Sequence, residues 1–203
     1  MSWIKTISDE DASGKLKSIY KKIKSPDGQI DNVLSIHSLR PHTLTGHMSL
    51  YKNVLHHADN TFENWFLELV GAYTSFLNEC MYCYEHHFEG MKRFLKNDKR
   101  AEKIRAFLEQ HLLHNVLNEK ETAIIEYAKK LTTSPAEITE ENINYLRENG
   151  LNDGEILEIN QVVAYFNYAN RTVLGLGVNT IGEKHLGLSP KNQENEDSWE
   201  HEY

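Results

Sequence analysis

The residues of this sequence best suited to chemistry are its two cysteines, which stand three positions apart at Cys80 and Cys83. His87 follows four residues after Cys83, and Glu68 precedes Cys80 with eleven residues between them. A thiolate is a nucleophile, an imidazole can take the thiol proton, and a carboxylate can orient that imidazole. Two thiols at this spacing can also close and reopen a disulfide. The pattern therefore indicates redox chemistry at sulfur, and reduction of a hydroperoxide through a sulfenic acid and a disulfide uses all of these groups.

Helical spacing is what would bring these side chains together. Asn78 is a good N-cap residue, so we expect a helix to begin there, with Cys80 in its first turn, where the helix dipole favours a thiolate. Steps of three and four residues then place Cys80, Cys83 and His87 on one face, where His87 can exchange a proton with Cys83. Glu68 belongs to the preceding helix, about 130° from the centre of its apolar stripe. By itself Glu68 is typical of a solvated helix position, and only its link to the cysteines and the histidine makes it a candidate.

Other interpretations of the same residues stay open. Free cysteines are often buried simply as small apolar side chains. Cys80, Cys83 and His87, joined by Glu68 or His86, are also suitable ligand types for zinc, although structural zinc sites usually draw a second ligand pair from a separate segment. His86 is otherwise expected at the surface. A further alternative is a non-catalytic redox sensor, or an oligomeric binding protein, whose cysteine state changes its packing.

The elements that must position these residues are predicted to be helices throughout, because apolar residues recur at steps of three and four and alternating stretches are rare. Pro41 is expected to open a helix, Gly150 to close one, and Asn152 with Glu155 to cap the helix that follows. The sequence therefore predicts an all-α fold, a single-domain helical bundle. The clearest apolar stripe precedes the cysteines and comprises Phe62, Trp65, Phe66, Leu69, Val70, Tyr73, Phe76 and Leu77.

Composition sets the domain organisation. A chain of 203 residues of which 39% are hydrophobic is large enough for one apolar core without a disulfide framework. From Ser189 onward the sequence is polar and charged, so it has too little apolar surface to fold by itself. We predict one helical domain over residues 1–188 and a polar C-terminal tail over residues 189–203, in which Trp199 and Tyr203 are the candidate anchors.

The charge and hydropathy patterns restrict the class of partner. A formal net charge of −8 disfavours nucleic acid and anionic membranes, because an acidic protein gains nothing from their negative charge. The first residues lack the long apolar core of a secretion signal, and we find no stretch of about twenty apolar residues. We therefore expect a soluble cytoplasmic protein whose partners are small molecules and other proteins.

The spacing Glu68, Cys80, Cys83, His87 resembles the Glu-x11-Cys-x2-Cys-x3-His motif of the alkylhydroperoxidase D-like, or carboxymuconolactone decarboxylase-like, superfamily. The decarboxylase branch lacks the cysteine pair, so that activity is disfavoured here. Further stretches are similar to the peroxidase-related branch, so the resemblance spans roughly residues 30 to 180. These stretches are Ala123 to Thr132, Leu146 to Leu151, Phe166 to Arg171 and Gly175 to Val178.

The resemblance implies an all-α homo-oligomer that reduces hydroperoxides without haem, metal or another bound cofactor and is recharged by a dithiol or a disulfide reductase. By the family pattern Cys83 is the peroxidatic thiol, Cys80 is the resolving thiol, and Glu68 with His87 is the proton relay. One position departs from that pattern. The founding alkylhydroperoxidases have a histidine just before the second cysteine, and this chain has Tyr82, so a reduced or altered activity is one expectation.

Two further groups have mainly structural interpretations. Asn167, Asn170 and Arg171 lie at helical spacing and form a polar patch of the kind that satisfies buried backbone or subunit contacts. Trp65, Phe76 and Phe88 are candidates for the wall of an organic-hydroperoxide pocket, although aromatic residues at helical spacing more often belong to the core.

Overall fold

The computed structural model describes residues 1–25 and 27–187, and the regular structure in these residues is entirely helical, which confirms the predicted all-α class. The predicted tail, with Trp199 and Tyr203, lies outside the described residues. In chain order the α-helices are α1 (Gly14–Ile23), α2 (Asn32–Ser35), α3 (Pro41–Leu55), α4 (Asn64–Leu77), α5 (Met81–Leu95), α6 (Asp98–Glu109), α7 (Glu119–Thr133), α8 (Glu140–Glu148) and α9 (Asp153–Gly175), with 3₁₀ turns at Leu113–Asn115 and Pro135–Glu137.

Helix α4 is the centre of the bundle. It packs against α3, α5, α7 and α9, and every residue from Trp65 to Ser75 is buried. The apolar stripe predicted from the sequence supplies one face of the helix. The other face carries small residues, and a Cβ atom at Gly71 would lie only 2.1 Å from the ring of Phe166 on α9. The absence of a side chain at Gly71 thus lets α9 approach α4 closely.

The predicted helix ends are largely confirmed. Pro41 occupies the first turn of α3, where its missing N–H costs no intrahelical hydrogen bond. Asn152 and Glu155 form a capping box, in which each side chain accepts a hydrogen bond from the backbone N–H of the other, at 3.0 and 2.8 Å. Gly150, with φ of 85°, follows the end of α8 in a conformation that glycine adopts at little cost.

The connection between α4 and α5 corrects one prediction. Asn78 does not begin the cysteine helix but ends α4, and Cys80 is the N-cap of α5. The N–H of Glu79 donates to Phe76 O at 3.0 Å and the N–H of Cys80 to Ser75 O at 2.9 Å, with Glu79 in the left-handed region at φ of 56°. This is a Schellman ending, and it turns the chain within two residues so that α5 packs back along α4.

Both ends of the described chain meet beyond α9. We call residues 176–187 the C-terminal strap. The N–H of Trp3 donates to Leu176 O at 2.8 Å, and the side-chain amide of Asn32, at the start of α2, donates to Asn179 O at 2.8 Å. The strap therefore runs from the end of α9 across the N-terminal segment and returns towards α5. None of the helices in the described part of the chain is long and apolar enough to span a membrane.

Candidate functional site

The two cysteines lie at the N-terminal end of α5 and differ in access. Cys80 is fully buried, whereas Cys83, at 4% exposure, lines a cavity of about 50 Å³. The cavity is bounded by α2, α3, α4, α5, α9 and Gly187 of the C-terminal strap. Its wall comprises Asp31, Val33, Leu34, His47, Met48, Tyr51, Glu68, Tyr82, Cys83, His86, His87, Gly90, Tyr165, Ala169 and Gly187. A small ligand in this cavity would therefore meet Cys83 before Cys80.

Glu68 and His87 form a buried carboxylate–imidazole pair in the same wall. His87 Nδ1 lies 2.6 Å from Glu68 Oε2, and Glu68 is 1% exposed. Glu68 is therefore not the solvated residue that its helix position alone suggested. Burial by itself raises the pKa of Glu68, but the charge of His87 and its hydrogen bond more than offset this, and the pKa lies below its usual value. With Nδ1 committed to the carboxylate, Nε2 is the His87 nitrogen available to a ligand.

Sequence reasoning missed a second imidazole beside Glu68. His56 Nε2 lies 3.5 Å from Glu68 Oε1 and 2.7 Å from the hydroxyl oxygen of Tyr51. Burial lowers the pKa of His56 to about 4, although Glu68 opposes this shift, so the ring is neutral at pH 7. No motif connects Tyr51 or His56 to the cysteines in the sequence, since both lie upstream of α4 and reach the site only through packing.

The two thiols shift each other's pKa in opposite directions. A hydrogen bond with Cys80 and one with Asn170 act on the pKa of Cys83. Among the described residues no hydrogen bond joins Cys83 to His87, and proton exchange between them stays a prediction. The hydrogen bond from Cys83 lowers the pKa of Cys80, whose place at the helix N-cap also favours a thiolate. The same hydrogen bond and burial raise the pKa of the Cys83 thiol well above its ordinary value. The resting dithiol therefore places negative charge on Cys80 first.

The Asn167–Arg171 patch fills the structural role predicted for it and also reaches the thiols. Asn170 Nδ2 donates to Ser75 Oγ at 3.0 Å, and Asn170 Oδ1 accepts from the amide of Asn78 at 2.9 Å. Arg171 donates to Asn167 O at 2.9 Å. Because Asn170 also hydrogen-bonds to Cys80 and Cys83 and lowers the pKa of each, it connects α4 and α9 to the dithiol.

A buried histidine pair borders the cavity and was also missed. His37 and His47 have ring centroids 5.1 Å apart, and His47 lies in the cavity wall. Burial lowers the pKa of His47 to about 3, with smaller contributions from His37 and His87. Nε2 of His47 lies 3.4 Å from the Tyr165 hydroxyl, whereas its buried Nδ1 has no hydrogen-bond partner in the described part of the chain. His47 therefore keeps unused hydrogen-bonding capacity next to the cavity.

The prediction that His86 is a surface residue is wrong. His86 is 6% exposed, and its Nε2 lies 2.9 Å from Oε2 of Glu183 on the strap. Tyr82, between the cysteines, donates its hydroxyl proton to Glu183 Oε1 at 2.7 Å. Burial raises the pKa of Glu183, but its hydrogen bond and charge interaction with His86 outweigh this, so the net shift is downward. Because Glu183 is far from the cysteine motif in the sequence, no sequence pattern indicated its contacts with His86 and Tyr82.

The structure gives less support to two other interpretations of the sequence, a zinc site and an aromatic wall of the pocket. In residues 1–25 and 27–187 no three His, Cys, Asp or Glu side chains are grouped in a way that could hold a metal ion. Trp65, Phe76 and Phe88 do not line the cavity. They pack instead in or against the main core, which is the more common place for aromatic residues at helical spacing.

The helical bundle has the fold of the alkylhydroperoxidase core, as its similarity to solved structures shows. A peroxidase-related protein with an alkylhydroperoxidase core from Ralstonia eutropha is similar over 88% of this chain and 91% of its own, at a TM-score of 0.77 and 19% identity. A peroxidase-related protein from Silicibacter sp. is similar over 87% of each chain, at a TM-score of 0.70 and 21% identity.

A third neighbour shows that this fold supports more than one activity. The debrominase Bmp8 is similar over 86% of this chain and 89% of its own, at a TM-score of 0.69 and 19% identity. A cysteine-to-alanine variant of Bmp8 in complex with 2,3,4-tribromopyrrole is similar to the same degree, at a TM-score of 0.70. No protein-family model matches the sequence, and no curated protein is similar enough to be matched.

Proposed function

We propose that this protein is a thiol-dependent peroxidase that reduces hydroperoxides through a disulfide cycle of Cys80 and Cys83, with Glu68 and His87 as the proton relay. The observation that carries the proposal is that Cys83 and the buried Glu68–His87 pair line one cavity, with Cys80 fully buried three residues before Cys83. The peroxidase-related proteins that share the fold support an antioxidant role.

The chemistry uses each of these groups. Cys83 passes its proton to the Cys80 thiolate, and the Cys83 thiolate attacks the terminal peroxide oxygen, so that an S–O bond forms and the O–O bond breaks. The proton that Cys80 released on forming its thiolate is held at Nε2 of His87, which gives it to the departing alkoxide. Cys80 then attacks the Cys83 sulfenic acid, which releases water and leaves a disulfide. In sum, two thiols and one hydroperoxide give one disulfide, one alcohol and one water, and an external dithiol returns the two electrons.

The roles of the two cysteines follow access rather than acidity. Cys80 has the lower pKa, but only Cys83 lines the cavity. A thiolate that a peroxide cannot reach is not oxidised, whereas a thiol in contact with the peroxide reacts once a neighbour removes its proton. We therefore infer that Cys80 serves first as the base for Cys83 and then as the resolving thiol.

The test is to quantify free thiols by alkylation and mass spectrometry before and after one equivalent of hydrogen peroxide, and to follow dithiol-driven turnover in parallel. We expect both thiols to disappear as one intramolecular disulfide that dithiol reverses, with sustained loss of peroxide. Cys83→Ser should abolish turnover. Cys80→Ser should oxidise once and stop at a sulfenic acid that dimedone traps. Turnover that survives in Cys83→Ser would refute the assignment of the nucleophile.

A redox sensor is the second candidate, and burial of both thiols favours it, since thiols with little access react slowly. A sensor would oxidise once and change its assembly or partner affinity. A peroxidase would turn over repeatedly with a supplied dithiol. Loss of thiols without dithiol-driven turnover would therefore favour the sensor.

The proposal includes a dithiol or disulfide-reductase electron donor, a reducing compartment such as the cytoplasm and a homo-oligomeric state. Leu157, Tyr168 and Leu174 of α9 are exposed and apolar, which supports an interface between subunits on this helix. Light scattering coupled to gel filtration should give a mass above that of one chain.

A halogenated aromatic substrate, as bound by the debrominase variant, is disfavoured by the cavity of about 50 Å³.

A further inference from the structure

Tyr82 occupies the position that distinguishes this chain from the founding alkylhydroperoxidases, and its hydroxyl joins three segments. It donates to Glu183 Oε1 at 2.7 Å and accepts a hydrogen bond from the backbone N–H of Val33 at 3.1 Å. The side chain is 7% exposed. Tyr82 therefore connects α5 to α2 and to the C-terminal strap, directly beside Cys83.

Glu183 is the centre of this contact. Its side chain is 2% exposed, and its oxygens also meet the backbone N–H of Asn32 at 2.6 Å and His86 Nε2 at 2.9 Å. The N–H of Gly187 donates to His86 Nδ1 at 3.3 Å, so His86 presents its Nε2 proton to the carboxylate. A carboxylate this buried is tolerated only when hydrogen bonds satisfy it, and every partner here is a donor. We call Tyr82, His86 and Glu183 the latch.

The latch fastens the strap beside the cavity, to whose wall the strap contributes Gly187. Tyr82, His86 and Gly187 all belong to the cavity wall, together with Cys83. Gln29 adds two contacts to the strap, since its Nε2 donates to His185 O at 2.9 Å and its Oε1 accepts from the N–H of Lys184 at 2.6 Å. Together with the contact of Asn32 with Asn179 on the N-terminal side, these contacts fasten the strap on both sides of Glu183.

The volume of the cavity beside Cys83 limits the size of the ligand that the site can hold. A cavity of about 150 Å³ in another protein holds benzene, and one water molecule needs roughly 10 to 15 Å³ by the same measure. The cavity beside Cys83 measures about 50 Å³. It therefore has room for a ligand of a few non-hydrogen atoms and too little for an aromatic ring while the strap is latched.

We propose that the latch of Tyr82, His86 and Glu183 is a size gate that makes hydrogen peroxide and short alkyl hydroperoxides the substrates of this site and excludes bulky organic hydroperoxides. This inference rests on the proposed peroxidase function, and it assigns to Tyr82 the role of a specificity-determining residue. Release of the latch lets the strap lift and enlarges the cavity next to Cys83.

The kinetic test compares dithiol-driven consumption of hydrogen peroxide with that of cumene hydroperoxide. The wild-type protein should prefer hydrogen peroxide at least tenfold, and Glu183→Gln should reduce that preference by a factor of ten or more. Tyr82→Phe is the milder variant, since it removes only the hydroxyl, and should shift the ratio in the same direction. Glu148→Gln, at an exposed position on α8, is the matched control and should leave the ratio unchanged. Equal rates for both peroxides in the wild-type protein, or an unchanged ratio in both latch variants, would overturn the gate.

A second measurement separates the gate from the peroxidase proposal. Cys83 is alkylated either with iodoacetamide, a small reagent, or with fluorescein maleimide, a bulky one. The rate of alkylation at Cys83 is measured by mass spectrometry. For each reagent this rate is divided by its rate with the urea-unfolded protein. If the gate is present, folding of the wild-type protein should slow the reaction of Cys83 with fluorescein maleimide at least tenfold more than its reaction with iodoacetamide. This difference should be lost in both latch variants. Protection that is equal for the two reagents refutes the gate even if peroxide is consumed. Size-selective protection supports the gate even if no peroxide turns over.

Discussion

At the scale of single residues, the site depends on how a buried carboxylate is paired. Glu68 is held between His87 at 2.6 Å and His56 at 3.5 Å, and these contacts keep its pKa low in spite of its burial. An ionised Glu68 fixes the proton of His87 on Nδ1 and leaves Nε2 facing outward from the pair. Glu68 therefore sets the tautomer of His87, although among the described residues Glu68 makes no hydrogen bond to either thiol.

Glu68→Gln tests this pairing, because the amide keeps the size of the side chain and loses its charge. We expect dithiol-driven turnover of hydrogen peroxide to fall about 100-fold or more, the usual effect of removing a proton-transfer group. Glu126→Gln, at an exposed position on α7, is the control and should retain full turnover. An unchanged circular dichroism spectrum checks the fold. Turnover of Glu68→Gln within twofold of the wild-type protein would remove Glu68 and His87 from the mechanism.

At the scale of elements, the hairpin of α4 and α5 aligns the relay with the thiols. Glu68 lies on α4 opposite Gly90 of α5, where a Cβ atom would come within 3.0 Å of the Glu68 carboxylate. Gly90 therefore leaves the space that the carboxylate occupies. The turn that sets the register of the hairpin contains Glu79 in a left-handed conformation, at φ of 56°. A side chain in this conformation costs roughly 1 kcal/mol relative to glycine.

Glu79→Gly should accordingly raise the free energy of unfolding by about 1 kcal/mol, because glycine adopts the left-handed conformation without a Cβ penalty. Urea unfolding followed by circular dichroism measures the change. Glu79→Ala is the matched control, since it removes the same carboxylate and keeps the Cβ atom, and it should show no such gain. If the glycine variant is no more stable than the alanine variant, strain at this turn is not the cause.

At the scale of the whole molecule, the bundle buries several imidazoles that its apolar surroundings keep neutral. Burial lowers the pKa of His56 to about 4 and that of His47 to about 3, both far below the usual value near 6.5. The unfolded chain therefore binds these protons at a higher pH than the folded chain does. The low pKa of Glu68 acts in the same direction below its own ordinary value of 4.5.

The fold should therefore lose stability as the pH falls below about 6.5. Between this value and about pH 4 each of the two histidines contributes a slope of up to about 1.4 kcal/mol per pH unit, and stability rises with pH because the unfolded state binds more protons. Urea unfolding between pH 5 and 7.5 measures the slope. His47→Asn should lower it, whereas His42→Gln, at an exposed position, should not. A stability that is flat across this range would contradict the buried, neutral state of both rings.

The sequence by itself determined the helices, several of their ends and the four residues of the proposed disulfide cycle, because helical periodicity, capping and motif spacing are local properties of the chain. It did not determine that Glu68 is buried, since a carboxylate at that position is stable only when imidazoles from α5 and from the end of α3 approach it. Tyr82 and Glu183 likewise meet across 101 positions of sequence. Contacts of this kind exist only after packing has brought distant segments together, so the tertiary structure alone decided the shape of the cavity and which side chains surround the thiols.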